Sequence, residues 1–167
     1  MRDIKFYKDE MKRGWKGGCP ETECGAGSTM ENTEPQRKWI PEVIEKYGIK
    51  SIIDIGCGDQ KWIKTLNLQG YQGYDLLPRN KDVIEFNIIQ QVPPKVDLIM
   101  CLWVLNHMEP DEMKFSLDNI KASGSIYLMM THKEKYIETT KLFSDMRYIE
   151  SVKVPKQQEA EIRLYVL

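Results

Sequence analysis

The sequence lacks any long apolar run, and this absence limits what the protein can be. No stretch of its 167 residues approaches the roughly 18 consecutive apolar residues that a membrane-spanning helix requires. An excess of one charge sign is also missing, because 24 basic residues stand against 25 acidic ones. Nothing in this balance demands a polyanionic partner or a membrane surface. Since residues 1–10 are also charged throughout, we expect no membrane association and a cytoplasmic location.

Cysteine is scarce, with four in the chain. Cys57 and Cys101 lie in apolar runs that predict buried strands or their ends, while Cys19 and Cys24 lie in a glycine-rich stretch. A set of structural disulfides is therefore not expected. The two histidines are far apart in sequence, so a second pair of ligands for tetrahedral zinc is missing. We predict no metal site.

Regular patterning is absent from the first 32 residues, where glycines interrupt any period and basic side chains alternate with acidic ones. The interrupting residues are Gly14, Gly17, Gly18, Gly25 and Gly27. We predict an arm or lid in residues 1–32 and a single domain in residues 33–167, because a chain of this length forms one domain.

From residue 33 onward, apolar runs alternate with amphipathic stretches, which predicts a parallel sheet with crossover helices. A first helix is predicted from a Thr33–Gln36 capping box, with Pro35 in its first turn and Gly48 at its end. Strands are predicted at 51–55, 71–76, 85–89, 96–102 and 125–130, further helices at 60–66, 111–121 and 133–146, and a hairpin from 147–154 and 159–167. The predicted fold class is α/β, a Rossmann-like doubly wound sheet, mostly parallel, with a C-terminal antiparallel hairpin.

The strongest local signal is the run DIGCGD at residues 54–59, between an apolar run and a helical stretch. Gly56 and Gly58, on either side of Cys57, allow the backbone to turn sharply and approach a ligand closely. The acids at both ends of the run, Asp54 first, would repel a phosphate and suit a cation such as an amino acid's ammonium group. Lys61 holds the place of the third glycine of the dinucleotide fingerprint. The pattern favours S-adenosylmethionine (SAM) over NAD.

Two further strand ends carry candidate ligand contacts. Asp75, followed by Leu76, closes the second strand about twenty residues after the glycine turn, where an acid accepts hydrogen bonds from ribose hydroxyls. Asn87 and Ile88 end the predicted third strand. We expect the amide to bond an adenine edge and the apolar side chain to contact the ring.

The fourth predicted strand continues into a corner that ends at His107. Cys101 and Trp103 lie at the carboxyl edge of this strand, where ligands bind in such sheets, so we expect the methyl donor to lie against them. His107 is a candidate general base because a histidine titrates near neutrality. A histidine at such a corner is as often a buried, hydrogen-bonded residue, and both interpretations remain open.

Residues 54–59, 73–75 and 97–107 resemble motifs of class I SAM-dependent methyltransferases, and the resemblance spans residues 34–167. It implies that the glycine turn contacts the amino acid part of SAM, that Asp75 binds the ribose, and that the residues after the third strand contact adenine. Many members carry an acid where this chain has Asn87. With residues 25–29, 31–33 and Trp62, the chain also looks like a group of small methyltransferases from bacterial and phage genomes.

We interpret the chain as a methyltransferase that uses SAM, yields S-adenosylhomocysteine (SAH), and modifies a small molecule, sugar or nucleotide as a monomer or homodimer. Its chemistry depends mainly on holding donor and acceptor at attack distance. Residues 101–104, CLWV, replace the Asp/Asn-Pro-Pro-aromatic tetrad of amino-methylating DNA enzymes, which disfavours methylation of exocyclic base amines. The alternatives are a SAM- or SAH-binding domain without catalysis, a nucleic-acid methyltransferase, an enzyme of the same fold that uses SAM differently, and a nucleotide-binding oxidoreductase.

Overall fold

Seven β-strands form one sheet in the computed structural model, which describes residues 4–13, 19–132, 143–154 and 160–167. The strands are β1 Ile52–Ile55, β2 Tyr71–Asp75, β3 Val83–Glu85, β4 Leu98–Cys101, β5 Tyr127–His132, β6 Arg147–Val154 and β7 Ala160–Val166. Their order is β3-β2-β1-β4-β5-β7-β6, with the first five parallel and β7 antiparallel to both β5 and β6. This confirms the predicted fold class.

The central strands are apolar on both faces except at Asp54, which is why they are buried in the middle of the sheet. All four residues of β1 and all four of β4 are buried. Because successive side chains of a strand point to opposite faces, Ile53 and Ile99 join one core cluster while Ile52 and Leu98 join the other. The chain order reverses between β1 and β4, and in open α/β sheets such a switch point opens a crevice for ligands.

Three α-helices lie within the described ranges: α1 Ile4–Lys12, α2 Glu34–Tyr47 and α3 Pro110–Ala122. None of them is long and apolar enough to cross a membrane. Helix α2 has Pro35 in its first turn and ends at Gly48, whose φ is 63°, as predicted. The predicted Thr33–Gln36 capping box is wrong: the Thr33 side chain makes no cap bond and instead donates to the carbonyl of Thr29 at 2.8 Å.

Other predicted elements differ in extent. The third strand ends at Glu85, earlier than predicted, and the Asn87 side chain accepts the Ile89 amide at 3.1 Å, closing a turn instead of extending the strand. The helix predicted at 60–66 is only a 3₁₀ helix, Ile63–Leu66, because Gln60 has a φ of 60° that no α-helix contains. Most of the helix predicted at 133–146, and the turn of the C-terminal hairpin, lie outside the described residues.

The described part of the predicted arm packs against the carboxyl edge of the sheet. Helix α1 buries Tyr7, whose hydroxyl donates to a carboxylate oxygen of Glu112 in the first turn of α3. Lys8 donates to Glu85 at the end of β3 at 2.9 Å. Residues 4–13 therefore lie across the edge where the switch point opens. The division into an arm, 1–32, and a domain, 33–167, stays a prediction.

Candidate functional site

A cavity of about 310 Å³ opens at the carboxyl edge of the sheet, at the switch point between β1 and β4. This volume lies at the lower end of the range for small-molecule sites, about 300–1,000 Å³. The strand ends form its floor, and two parts of the arm complete its wall. The sequence-predicted site residues that line it are Asp54, Gly56, Cys57, Gly58, Asp75, Leu76, Asn87, Ile88, Trp103 and His107.

The conformation and surroundings of the turn after β1 favour glycine at positions 56 and 58. Gly56 and Gly58 have φ values of 77° and 60°, a region that side-chain-bearing residues rarely adopt. A Cβ on Gly56 would overlap the side chain of Val104, and one on Gly58 would overlap the sulfur of Cys24. Because neighbouring atoms already occupy that space, the turn keeps its bare backbone at the cavity.

Asp75, at the end of β2, is a buried carboxylate that orders the glycine turn. Its Oδ2 accepts the backbone N–H of Gly58 at 2.8 Å, and its Oδ1 accepts the N–H of Leu77 at 2.9 Å. Burial raises the pKa of this carboxyl group, and the two backbone hydrogen bonds partly oppose that rise. Each oxygen still has lone-pair capacity, so Asp75 can accept further bonds from a ligand that lies in the cavity.

Asp54 is a second buried carboxylate, and the single hydrogen bond to its side chain within the described ranges leaves a charged group short of partners. The hydroxyl of Tyr71 donates to its Oδ2 at 2.9 Å. Burial raises the pKa of Asp54 to about 7, the Tyr71 bond opposes this, and the charge of Asp75 adds to it. A cation placed beside Asp54 would stabilise the ionised form and lower this pKa. The electrostatics of the site therefore favour a positively charged ligand group.

Asp59, which closes the glycine turn, fastens the arm to the floor. Its Oδ2 accepts from the Thr22 hydroxyl at 2.8 Å and from the Glu23 amide at 3.0 Å, and its Oδ1 accepts the Lys61 amide at 3.2 Å. Burial raises the pKa of Asp59, but these hydrogen bonds outweigh burial, so the pKa lies below its usual value. Asp59 therefore stays ionised and connects two segments far apart in sequence.

The corner after β4 holds Trp103 and His107 at the cavity. Trp103 has a φ of 61°, which is rare for a bulky residue, and its backbone N–H donates to the Thr131 hydroxyl at 2.9 Å. Such strained residues cluster at functional sites. His107 ends the 3₁₀ helix Leu105–His107 and lines the same cavity. The structure thus brings the candidate base into the site.

The sequence matches no family model and no curated protein. In fold, the chain is similar to N-methyltransferase NodS from Bradyrhizobium japonicum WM9 in complex with SAH, with a TM-score of 0.72 at 13% identity over 95% of this chain and 96% of that one. It is also similar to magnesium protoporphyrin IX methyltransferase (ChlM) from Synechocystis PCC 6803 with bound SAM, with a TM-score of 0.66 at 14% identity over 99% and 97%. A third match is the methyltransferase domain of bacterial CtHen1-CN, with a TM-score of 0.62 at 12% identity over 81% and 100%.

The chain has the class I methyltransferase fold. The sequence elements that resemble this family form the floor of the cavity, and nearly the full length of NodS and of ChlM is matched.

Of the cofactor residues predicted within this methyltransferase fold, Cys101 is the one that does not line the cavity. It is fully buried in the core cluster that also contains Ile55 and Leu105. Burial raises the pKa of its thiol, as does the nearby charge of Asp54. Cys101 lies at the end of β4 as predicted, but its side chain faces the core cluster that also contains Ile99, because alternate residues of a strand point to the same face.

Sequence reasoning missed several residues that line the site. Gln36 is 1% exposed, and its Oε1 has no hydrogen-bond partner within the described ranges. Arg79 lines the same cavity, four residues after Asp75. Tyr7 and Met11 reach it from α1. The position of Arg79, a basic residue shortly after the predicted ribose ligand Asp75, could have identified it from sequence. Nothing in the local sequence identifies residues that reach the site from another helix.

The described residues contain neither a candidate metal site nor a disulfide bond. No group of three or more His, Cys, Asp or Glu side chains within them is placed to hold a metal ion. All four cysteines are free thiols.

Proposed function

We propose that this protein binds SAM in the cavity at the sheet edge and transfers its methyl group to a small-molecule acceptor. The observation that carries the proposal is the pair of buried carboxylates, Asp54 and Asp75, on either side of a glycine turn in a methyltransferase fold. One carboxylate suits a cationic ligand group and the other suits a diol, and SAM carries both.

The residues present fit this ligand part by part. Asp54 would hold the ammonium group, because its carboxyl group gains most from a neighbouring cation. The bare turn at Gly56 and Gly58 allows the amino acid part to approach the backbone. Asp75 would accept from the ribose hydroxyls. Ile88, with the other cavity residues after β3, would contact the adenine ring.

When bound, SAM would supply a methyl group on a positively charged sulfur, a leaving group that would keep the electron pair of the broken bond. The chain's own residues orient and desolvate the reactants, which is the main source of rate in such a displacement. Met11 and residues 24–28 of the arm line the cavity and would shield a bound cofactor from water. His107 takes the proton that the nucleophile gives up as the new bond to carbon forms.

The acceptor is chosen by the arm and the Trp103–His107 corner, and the similar folds illustrate how varied this choice is. NodS is an N-methyltransferase, ChlM acts on magnesium protoporphyrin IX, and another similar fold is the small RNA methyltransferase HEN1. For this chain a small, non-polymeric acceptor is favoured, because its net charge of −1 provides no strong attraction for a nucleic acid backbone.

The test is turnover. Purified protein is given SAM together with panels of amines, sugars, nucleotides and short RNAs, and SAH release is measured. We expect release with one of the non-polymeric panels, and His107→Gln is expected to lower the rate by about 100-fold or more. The matched control is His132→Gln, since His132 lies at the end of β5 and does not line the cavity.

Each outcome decides between the candidate functions. Tight SAM and SAH binding without turnover on any panel would indicate a non-catalytic binding domain, and turnover on RNA alone would indicate a nucleic-acid methyltransferase. Full activity in His107→Gln would remove that residue from the mechanism and leave the cofactor assignment intact.

A further inference from the structure

Arg79 is the only lysine or arginine among the described residues that line the cavity. It follows β2 by four residues, close enough to Asp75 for its positive charge to lower the pKa of that carboxyl group. Its side chain is only 9% exposed. A guanidinium group buried to this degree requires partners for its five N–H donors.

The partners that the described residues supply are too few. Nη2 donates to the backbone carbonyl of Met11 in α1 at 3.0 Å. Nη1 lies 3.9 Å from a carboxylate oxygen of Glu23, whose side chain is 69% exposed, so this ion pair is weak. Nε is buried and has no partner within the described ranges. One N–H of a buried cation that lines the cavity thus lacks a partner among the described residues.

The chemistry of Arg79 complements that of Asp75. A carboxylate can only accept hydrogen bonds and a guanidinium can only donate them, whereas each hydroxyl of a ribose diol does both. Asp75 already accepts two backbone N–H groups, which fixes the orientation of its carboxylate. An acceptor and a donor that flank the same end of the cavity can together bind a diol more specifically than either alone.

We propose that Arg79 is a positioning residue for the cofactor, its Nε donating to a ribose hydroxyl while the same guanidinium holds the carbonyl of Met11. Cofactor occupancy thereby stabilises the docking of α1 over the cavity. The inference rests on the proposed function, because it assumes that a ribose lies beside Asp75.

A ligand comparison tests the ribose contact. The affinity of SAH and of its 2′-deoxy and 3′-deoxy forms is measured by calorimetry on the full chain. We expect Arg79→Gln to weaken SAH binding about tenfold, as for the loss of one hydrogen bond from a charged donor. For the deoxy form that lacks the contacted hydroxyl, Arg79→Gln should weaken binding by less than about twofold.

Two variants control for indirect effects. Arg37→Gln removes a guanidinium that likewise donates to a backbone carbonyl, that of Met30 at 2.8 Å, but does not line the cavity. Glu23→Gln removes the exposed partner of Arg79. Both should bind SAH within about twofold of the unsubstituted protein. An equal loss in Arg79→Gln for all three ligands would overturn the ribose contact.

Hydrogen exchange tests the coupling to α1. SAH should protect the backbone amides of α1 in the unsubstituted protein and in Arg37→Gln, but not in Arg79→Gln. Equal protection in Arg79→Gln would overturn the coupling. If the Gln variant does not fold, Arg79→Lys keeps the charge and lacks Nε, and the same outcomes apply to it. Failure of the unsubstituted protein to bind SAH would contradict the proposed function itself, a result distinct from either of these.

Discussion

The floor of the cavity and its cover are built in different ways. The floor consists of the carboxyl ends of β1, β2 and β4, where backbone conformation and buried carboxylates define the shape. The cover consists of described residues 4–13 and 19–32, which are held by contacts between segments far apart in sequence. Examples are Thr22 with Asp59 of the glycine turn and Tyr7 with Glu112 of α3, separated by 37 and 105 positions. From this comparison we propose that cofactor recognition belongs to the floor, while the cover is the part free to vary with the acceptor.

The largest expected effect comes from removing the floor's ribose acceptor. Asp75→Ala should weaken SAM binding by about 3 kcal/mol, since one or two hydrogen bonds to a charged group are lost and the amides of Gly58 and Leu77 lose their acceptor. Calorimetric titration measures this. The control is Asp82→Ala, which removes an exposed carboxylate between β2 and β3 that pairs with Lys64 at 3.5 Å. Equal affinities in the two variants would contradict the site assignment.

A smaller effect, on the free energy of unfolding, is expected from substituting Gly58, where the floor of the cavity contacts its cover. Gly58→Ala should lower the free energy of unfolding by about 2 kcal/mol, because φ is positive and the new Cβ would overlap the Cys24 sulfur. Gly48→Ala, with a φ of 63° and nothing within 4 Å of the new Cβ, should cost only the backbone strain, about 1 kcal/mol. Adding Cys24→Ala should restore part of the loss at Gly58. Equal losses of unfolding free energy in Gly58→Ala and Gly48→Ala would show that Cys24 of the cover does not crowd the turn.

The pH dependence of binding tests the floor's other carboxylate. The pKa of Asp54, raised to about 7 by burial, means that a cationic ligand must displace a proton below neutrality. SAM affinity should therefore rise several-fold between about pH 6 and about pH 7.5, a range in which an α-ammonium group stays mostly charged. Asp54→Asn should remove this rise. Tyr71→Phe should shift its midpoint upward, because the Tyr71 hydrogen bond favours the ionised form.

Asp54 gives the ligand-free protein the opposite pH dependence, because its contribution to the free energy of unfolding falls as pH rises. Since the folded pKa of Asp54 lies above its usual value of 3.8, the folded state binds more protons than the unfolded chain between these two values. Its contribution to the free energy of unfolding is present at acid pH and is lost as pH rises towards 7. Thermal melts with and without SAM should therefore differ more at about pH 7.5 than at about pH 6. A constant difference would contradict an ion pair at Asp54.

The smallest effect is expected from the cover alone. Tyr7→Phe removes the hydroxyl that donates to Glu112, which keeps the backbone N–H of Glu109 at 2.9 Å. The change should weaken docking of α1 by about 1 kcal/mol and lower SAM affinity by less than about fivefold. Tyr148→Phe, at an exposed tyrosine on β6, is the control. A loss as large as that of Asp75→Ala would place cofactor recognition in the cover and reverse the comparison.

The same contrast explains what the sequence could predict. The fold class and the positions of Asp54, Gly56, Gly58 and Asp75 follow from local rules, because strand runs and glycine turns are encoded by neighbouring residues. All four line the cavity. The role of each in binding stays a prediction.

Contacts between distant segments could not be predicted in this way. Gln36 fits a capping pattern in sequence, yet its side chain lies buried at the cavity, because the packing of α2 decides its environment. The position of Arg79 shortly after the second strand is a local signal, but its hydrogen bond to the carbonyl of Met11 joins distant segments and could not be predicted. Helix α1 appears in sequence as a solvated, charged segment, and only the long-range contact of Tyr7 with α3 reveals what it covers.

The most direct test of the central claim is calorimetric titration of the purified protein with SAM, SAH, NAD and ATP side by side. Binding of SAM and SAH at micromolar concentrations, without binding of NAD or ATP, is the predicted result. If neither SAM nor SAH binds, the glycine turn and its two buried carboxylates are structural features only, and the proposed function is wrong.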